Sequence, residues 1–409
     1  MITLWKHQAQ AAAWIRNNDA QALFWDMRCG KTLATIAGTD DGDRLIVCPN
    51  SVKGVWKSDL KLYGQESMIW GLDNFYTKSR PRNLIINYES FWRTDLITHK
   101  YRSIVFDESL RLQNPRTKLW NYLRENMACL RKARVILLTG TPCPEGPHQL
   151  ITQSIAATGQ YCGIGDPWEA LRTYFLYDDR CYKWNILPTH RRAAKQQLSD
   201  LGPVLSQAEA GINTKKLYRR IEVPMGLSEQ KLLNNMGSVE QPTRDMYLQS
   251  FSSGRSVEGI TESSAKLDAV VEYAQELNHQ GVILVHFTES LQYLWRNLHL
   301  STARIWGGDD GANYRAETIA AFTRGDVGWL ICNVSTIKVG LNLSAADTLI
   351  FAENSWSGEA RIQAEERATA LGKQAVEIVD FCTIGCENID ISILEAVRAK
   401  KDYNTKSKK

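Results

Sequence analysis

The residues best equipped for chemistry are Gly30-Lys31-Thr32 and an acidic pair, Asp107-Glu108. The first trio closes a loop, Asp26-Met27-Arg28-Cys29, that follows the apolar run Ala22-Leu23-Phe24-Trp25 and precedes the helix-compatible Leu33-Ala34-Thr35-Ile36-Ala37. Strand, tight loop and helix start, in that order, make a phosphate-binding loop. The backbone of Met27, Arg28, Cys29 and Gly30 would cradle phosphate oxygens, Lys31 would reach the β- and γ-phosphates, and Thr32 would bind Mg²⁺. The full motif has a glycine where Trp25 stands, so this segment alone leaves the reading open. The acidic pair narrows it. Ile104-Val105-Phe106 delivers two carboxylates to a strand's C-terminal end. Asp107 would sit in the Mg²⁺ shell and Glu108 would orient or deprotonate an attacking water. Directly after another apolar run, Leu137-Leu138, stands Thr139-Gly140-Thr141-Pro142. It reads either as a strand-ending turn or as a hydroxyl relay, with Thr139 and Thr141 coupling the nucleotide site to a second lobe.

These segments need a scaffold that brings strand ends together, and the chain supplies its grammar twice. Short apolar runs without alternation, as buried parallel strands have, occur at 22–25, 45–48, 84–86, 104–106 and 135–138. Helix-compatible stretches such as 56–62 and 118–130 lie between them. Strand candidates resume at 282–286, 303–306, 329–332, 348–351 and 375–381, alternating with helix candidates at 265–277, 290–298, 312–322, 359–370 and 389–399. The pattern predicts an α/β protein of two tandem, doubly wound parallel-sheet lobes. The boundaries read as residues 1–225 for the first lobe, with an irregular helical and aromatic insert near 160–222, and 226–409 for the second. The Gly/Ser-rich 250–262 reads as a flexible linker. Trp168, Tyr174, Phe175, Tyr177, Tyr182 and Trp184 in the insert either form a small core or stack on exposed bases. The lysine-rich end, 398–409, reads either as a solvated, frayed tail or as a DNA-touching arm.

Composition sets outer limits. Hydrophobic content of 44% with 23% charged residues fits a soluble globular protein. A formal net charge of +4 permits a nucleic-acid partner without requiring one. No apolar run approaches the roughly 20 residues that span a bilayer, and the N-terminus lacks a secretory h-region. The nine scattered cysteines read as reduced thiols, so the expected location is the cytoplasm, or the host cytoplasm for a viral protein.

The ordered set of motifs resembles the superfamily-two helicases, and within them the Swi/Snf-type DNA-dependent ATPases in a compact, bacterial or phage-like form. Leu4-Trp5-Lys6-His7-Gln8 resembles that family's adenine-reading segment, with Gln8 the matching residue. The loop 26–32 resembles the branch's own loop, which also lacks the first glycine. Leu45–Ser51 with Trp56, and Ile85–Glu89, resemble two DNA-contact motifs, and 107–114 resembles the Asp-Glu box with its asparagine. In the second half, Ser264-Ala265-Lys266-Leu267, Trp306-Gly307-Gly308, 335–343 with Gly340, and Gln363-Ala364-Glu365-Glu366-Arg367 resemble the remaining motifs in family order.

The resemblance implies two RecA-like lobes that share one ATP at their interface, with Lys31, Asp107 and Glu108 from the first and Gln363 and Arg367 from the second, and Gly340 near the nucleotide. It implies a motor on duplex or branched DNA, acting as a monomer and gripping the backbone with little sequence preference. The expected contacts are Asn50, Ser51, Lys53 and Tyr88 in the first lobe, and Asn333, Ser335, Thr336 and Trp356 in the second. Three positions depart from the family pattern: Leu110 replaces the box's histidine, Ser206-Gln207 stands where paired arginines are common, and Ala370 replaces the second arginine of the sixth motif. The last leaves Arg367, helped by Arg361 or Lys373, to serve as the arginine finger, or else makes hydrolysis slow by design. Strand separation and a slow or non-hydrolysing ATP-gated DNA clamp are the alternatives.

Overall fold

The computed structural model describes residues 3–17, 20–73, 81–179, 183–236, 243–256, 259–260, 264–307, 312–337 and 341–408. The chain divides into two compact units, Met1–Ala210 with Tyr403–Lys409, and Gly211–Asp402.

The first unit is built on a seven-stranded sheet. Its strands are β1 (Ala20–Trp25), β2 (Arg44–Cys48), β3 (Met68–Ile69), β4 (Asn83–Asn87), β5 (Ser103–Asp107) and β6 (Arg134–Leu138); after a separate hairpin, β7 (Phe175–Asp178) and β8 (Lys183–Ile186), comes β9 (Val204–Leu205). The sheet order is β3-β4-β2-β5-β6-β1-β9, with parallel pairing throughout. Successive residues of each strand feed opposite cores. Phe24, Val47, Ile86, Phe106 and Leu137 lie in one cluster, while Trp25, Ile46, Ile85, Val105 and Leu138 lie in the other. Burial on both faces explains why these strands read as continuous apolar runs. Parallel pairing places the C-terminal ends of β1, β5 and β6 on one edge, and those ends carry the lysine loop, the acidic pair and Thr139–Pro142.

The second unit repeats the plan. Its strands are β10 (Lys215–Pro224), a small antiparallel pair of β11 (Arg255–Ser256) and β12 (Gly259–Ile260), then β13 (Gly281–Val285), β14 (Thr302–Ile305), β15 (Trp329–Asn333), β16 (Thr348–Phe351) and β17 (Ala375–Ile384). The order β10-β17-β16-β13-β15-β14 is again parallel. The expected α/β class with two doubly wound lobes is what the chain adopts.

Three boundary expectations change. β10 pairs along its whole length with β17, so the division at 225/226 moves to 210/211 and the insert ends earlier. Lys215, Lys216, Arg219, Arg220 and Glu222 hid this strand. Charged side chains are how an edge strand resists unwanted pairing, and they erase its apolar signal. The expected linker is ordered across 250–256. Helix Thr243–Phe251 runs into buried Ser252 and Ser253, and the Ser252 hydroxyl donates to Gln249 O and lies 3.1 Å from Asp390 Oδ1. Buried Lys266 joins this group, 3.2 Å from Ser252 Oγ and 3.0 Å from Asp390 Oδ2. The Ser252 hydroxyl thus helps satisfy a buried ion pair. Finally, helix Ile389–Lys408 runs through the expected frayed tail, anchored by buried Ile389, Ile393, Leu394 and Val397 on one stripe.

The aromatic insert packs onto the first unit's own sheet core, with Tyr161 and Phe175 in the cluster that holds Phe24 and Leu137. Tyr174 stacks on His190 with ring centroids 3.7 Å apart, Phe175 and Tyr161 are buried beside them, and Trp168 packs against the same cluster. Tyr177 and Trp184 face each other across β7 and β8, whereas Tyr182 lies outside the described residues.

Candidate functional site

The loop after β1 turns through two left-handed residues, Arg28 at φ 68° and Gly30 at φ 76°, with Cys29 between them. Alternation of this kind curls successive backbone N–H groups to one side, which is how anion-holding concavities are built. Helix Lys31–Gly38 starts directly after the curl and aims its N-terminus at it. The Lys31 ammonium donates to Trp25 O at 2.9 Å and Asp26 O at 3.2 Å, so it lies over the loop it closes. Thr32, half-buried, occupies the helix's first turn.

Residues distant in sequence brace this loop. Gln8 is buried, and its Oε1 accepts from Trp5 N at 2.8 Å. The left-handed φ favours glycine at position 30, and a methyl there would stand 1.8 Å from Gln8 Nε2 and displace that amide. His7 Nε2 lies 2.9 Å from Cys29 O, and its ring packs edge-on against Trp25. From the far end of the unit, β9 pairs with β1 and carries Gln207 to the loop. Its Nε2 donates to Met27 O at 3.1 Å and its backbone N to Asp26 Oδ2 at 3.0 Å. Ser206-Gln207, the departure from paired arginines, is thus part of the loop's support. The brace at Gln207 had no local sequence signal, because nothing at 206–207 names its partner 180 residues away.

The acidic pair is held as tightly. Trp56 Nε1 donates to Asp107 Oδ2 at 2.8 Å, Glu108 N to Asp107 Oδ1 at 3.1 Å, and Tyr88 OH to Asp107 O at 2.8 Å. Glu108 adopts φ 54°, a left-handed conformation uncommon for a side chain of this size. Burial, reinforced by the Asp107 charge, pushes the Tyr88 phenol and the Cys48 thiol well above their usual ranges, so both stay neutral beside the carboxylates. Between the two loops sits Thr139–Pro142. Thr141 N donates to Thr139 Oγ1 at 3.2 Å, and a methyl added at Gly140 would stand 3.4 Å from Trp25 O and 3.6 Å from Met27 N. That segment packs directly on the lysine loop.

The expected nucleic-acid residues divide by exposure. Asn50, Ser335 and Trp356 are exposed. Tyr88, Asn333, Thr336 and Lys53 are buried, and three of them serve their own strand ends. Tyr88 binds Asp107 O, Asn333 Nδ2 donates to His286 O, and Thr336 Oγ1 donates to Asn333 O. Each of these three side chains thus makes one local bond that orients it at its strand end. Gly340 lies outside the described residues, as does the side chain of Ser51.

In the second unit, Gln363 and Arg367 lie on helix Gly358–Arg367. Gln363 Nε2 donates to Glu359 Oε1 at 2.9 Å, and Arg367 Nη1 to Leu341 O at 3.2 Å. Arg361 is buried and committed: Nη1 and Nη2 pair with Asp380, Nε donates to Glu365 at 2.8 Å, and Nη1 also donates to Asn354. Burial alone would favour the neutral guanidine, but the two carboxylates hold it charged. Lys373 Nζ donates to Ser344 O at 3.0 Å and also bonds Ala346 O. The expected assistance of Arg361 or Lys373 to a finger gives way to structural roles. Ala370 is fixed by Thr214, whose Oγ1 donates to Ala370 O at 3.0 Å and lies 3.2 Å from its N.

Residues 265–372 match the helicase conserved C-terminal domain family. The chain is 24% identical over 426 residues to a Danio rerio chromodomain-helicase-DNA-binding protein 1-like, covering 91% of this chain and 41% of that protein. It is 24% identical over 426 residues to a Caenorhabditis elegans SWI/SNF-related matrix-associated actin-dependent regulator of chromatin subfamily A-like protein 1 homolog, covering 92% of this chain and 58% of that protein. The chain thus spans about half the length of these relatives. Among solved structures, the Sulfolobus solfataricus SWI2/SNF2 ATPase core in complex with dsDNA aligns over 98% of this chain and 95% of that one, at 17% identity and a TM-score of 0.47.

Proposed function

We propose that this chain, a relative of the Swi/Snf-type superfamily-two helicase-like ATPases, is an ATP-dependent motor that moves on duplex or branched DNA and remodels DNA or protein–DNA complexes. The observation that carries the reading is the convergence of three loops on one sheet edge, with Lys31 over a left-handed curl, a rigidly held Asp107-Glu108 pair, and Thr139–Pro142 packed against the lysine loop. Lys31 and the loop amides would bind the β- and γ-phosphates, Glu108 would align the attacking water, and Gln8, Thr139 and Thr141 would hold the loop geometry.

Mg²⁺ fits the residues present. Thr32 and Asp107 are hard oxygen donors, and among the described residues no group of three or more His, Cys, Asp or Glu could cage a metal by itself. A two-ligand site completed by nucleotide phosphates and water is the arrangement Mg²⁺ favours. When bound, the ion would neutralise phosphate charge in the transition state. The part of Gln363 and Arg367 in hydrolysis is carried over from the motif, and that of Gly340 likewise. Asn50, Ser335 and Trp356, with Lys53 and Ser51 beside Asn50, are the proposed grip on the DNA backbone. The relatives' names point to chromatin and DNA-helicase settings; for this chain duplex tracking as a monomer is the proposal.

A specific observation keeps a second reading alive. With Ala370 in place of an arginine and Arg361 buried in its ion network, Arg367 is the arginine left to the motif among the described residues. A slow or non-hydrolysing ATP-gated clamp would show that pattern. Phosphate release measured without nucleic acid, with single strands, with duplex and with forks separates them. The motor predicts DNA-stimulated turnover with binding that weakens steeply with salt. The clamp predicts ATP-dependent DNA affinity without turnover. Unwinding of a fork that a streptavidin block abolishes would favour strand separation instead.

A further inference from the structure

Helix Leu150–Thr158 is buried at every position from Leu150 to Ala157, yet it carries a glutamine whose amide is fully used. Gln153 Oε1 accepts from Ser109 Oγ at 2.8 Å, and Gln153 Nε2 donates to Pro142 O at 2.7 Å and to Gln149 O at 2.9 Å. Ser109 and Gln153 are both 0% exposed. Ser109 directly follows Glu108, so whatever fixes Ser109 fixes the left-handed turn that aims the carboxylate. Pro142 closes the segment whose Gly140 packs on Trp25 O and Met27 N. The next residue of the acidic segment, Leu110, is buried and offers no polar atom for such a link.

We propose that Gln153 is a positioning residue that locks the Asp107-Glu108 turn to the Thr139–Pro142 segment, and through it to the lysine loop, by an amide relay from Ser109 Oγ to Pro142 O. The proposal rests on the reading of Glu108 as the group that aligns water for ATP hydrolysis. A buried amide in this place is costly unless both its ends are bonded, and bonded at both ends it resists rotation of the turn. The relay touches neither phosphate nor lysine, so its loss should misalign hydrolysis while leaving nucleotide affinity intact.

The test is steady-state phosphate release by the full chain with saturating duplex DNA, for wild type, Ser109→Ala, Gln153→Met and the double variant, alongside ADP affinity by calorimetry and thermal midpoints. Methionine keeps the length of glutamine without its amide, and Ser109→Ala removes one hydroxyl, so the second variant decides the matter if the first does not fold. The expected result is a kcat about tenfold lower with KM for ATP and ADP affinity unchanged, and a double variant no worse than Gln153→Met alone. Unchanged kcat, additive losses, or a matching loss of ADP affinity would each overturn the relay. A wild type that releases no phosphate under any DNA condition would instead overturn the functional reading beneath it.

Discussion

The two units have the same sheet plan but differ in what holds the charges at the strand ends and helix starts that the motifs occupy. In the first, the Lys31 ammonium donates to the carbonyls of Trp25 and Asp26, while the Asp107 carboxylate accepts from the Trp56 indole and the Glu108 amide and its carbonyl accepts from Tyr88. In the second, Arg361 is neutralised by Asp380 and Glu365, and Lys266 by Asp390. Neutral partners orient a charge without quenching it, which suits groups that must meet phosphate or metal. Ion pairs between buried side chains consume the charge in holding the fold. Similar residue types therefore make the proposed reaction site in one unit and a structural lock in the other, and their partners tell them apart.

The comparison can be broken most forcefully at Arg361. Arg361→Met would leave buried Asp380 and Glu365 with the longer cation contacts, to Arg398 at 3.7 Å and Lys216 at 3.6 Å, and loss of about 3–5 kcal/mol is expected. Chemical denaturation should show the second unit's transition falling while the first unit's stays. An unchanged curve would mean the network is not structural. The next effect is at Ala370. If the missing guanidinium limits turnover, Ala370→Arg should raise DNA-stimulated kcat by roughly tenfold or more, within the range an arginine finger supplies; no change in a single-turnover assay would assign the limit elsewhere.

A smaller effect is expected at Glu108. Asparagine tolerates the left-handed region better, so Glu108→Asn should abolish turnover yet raise stability by up to about 1 kcal/mol. Lower stability in a thermal melt would show that the carboxylate supports the fold after all.

The smallest concerns pH. A hydrogen bond from Ile69 N, then the pairing with Lys57, hold the Asp73 carboxyl below its usual range. A depressed folded pKa gives stability that is present above the unfolded value near 3.8 and is lost as pH falls through the folded one. Acid unfolding of Asp73→Asn should thus differ from wild type by a slight loss at neutral pH that fades as pH falls through the carboxyl's lowered range. A difference independent of pH would place the contribution in packing.

The sheet strands and the reactive loops were legible because both obey local rules. Ile104-Val105-Phe106 is apolar since both its faces are covered, and Gly30-Lys31-Thr32 is spelled by what phosphate requires. What escaped reading depends on partners far away in the chain. The charges of β10 concealed a strand whose partner lies 160 residues on. Ser252 and Ser253 looked like linker until Lys266 and Asp390 closed around the first of them. Gln153 and Gln207 are ordinary residues by type, and only their hydrogen bonds to Pro142 and Met27 give them a place in the site.

The central claim is that the first unit is a working nucleotide site whose charge is reserved for ATP. Its most direct test is the rate of phosphate release with and without duplex DNA for wild type and Lys31→Ala, with folding checked by thermal melt. The account predicts DNA-stimulated release by wild type and a loss of at least about 100-fold in a well-folded Lys31→Ala. Equal release by the two proteins, or no DNA-stimulated release by wild type, would contradict it.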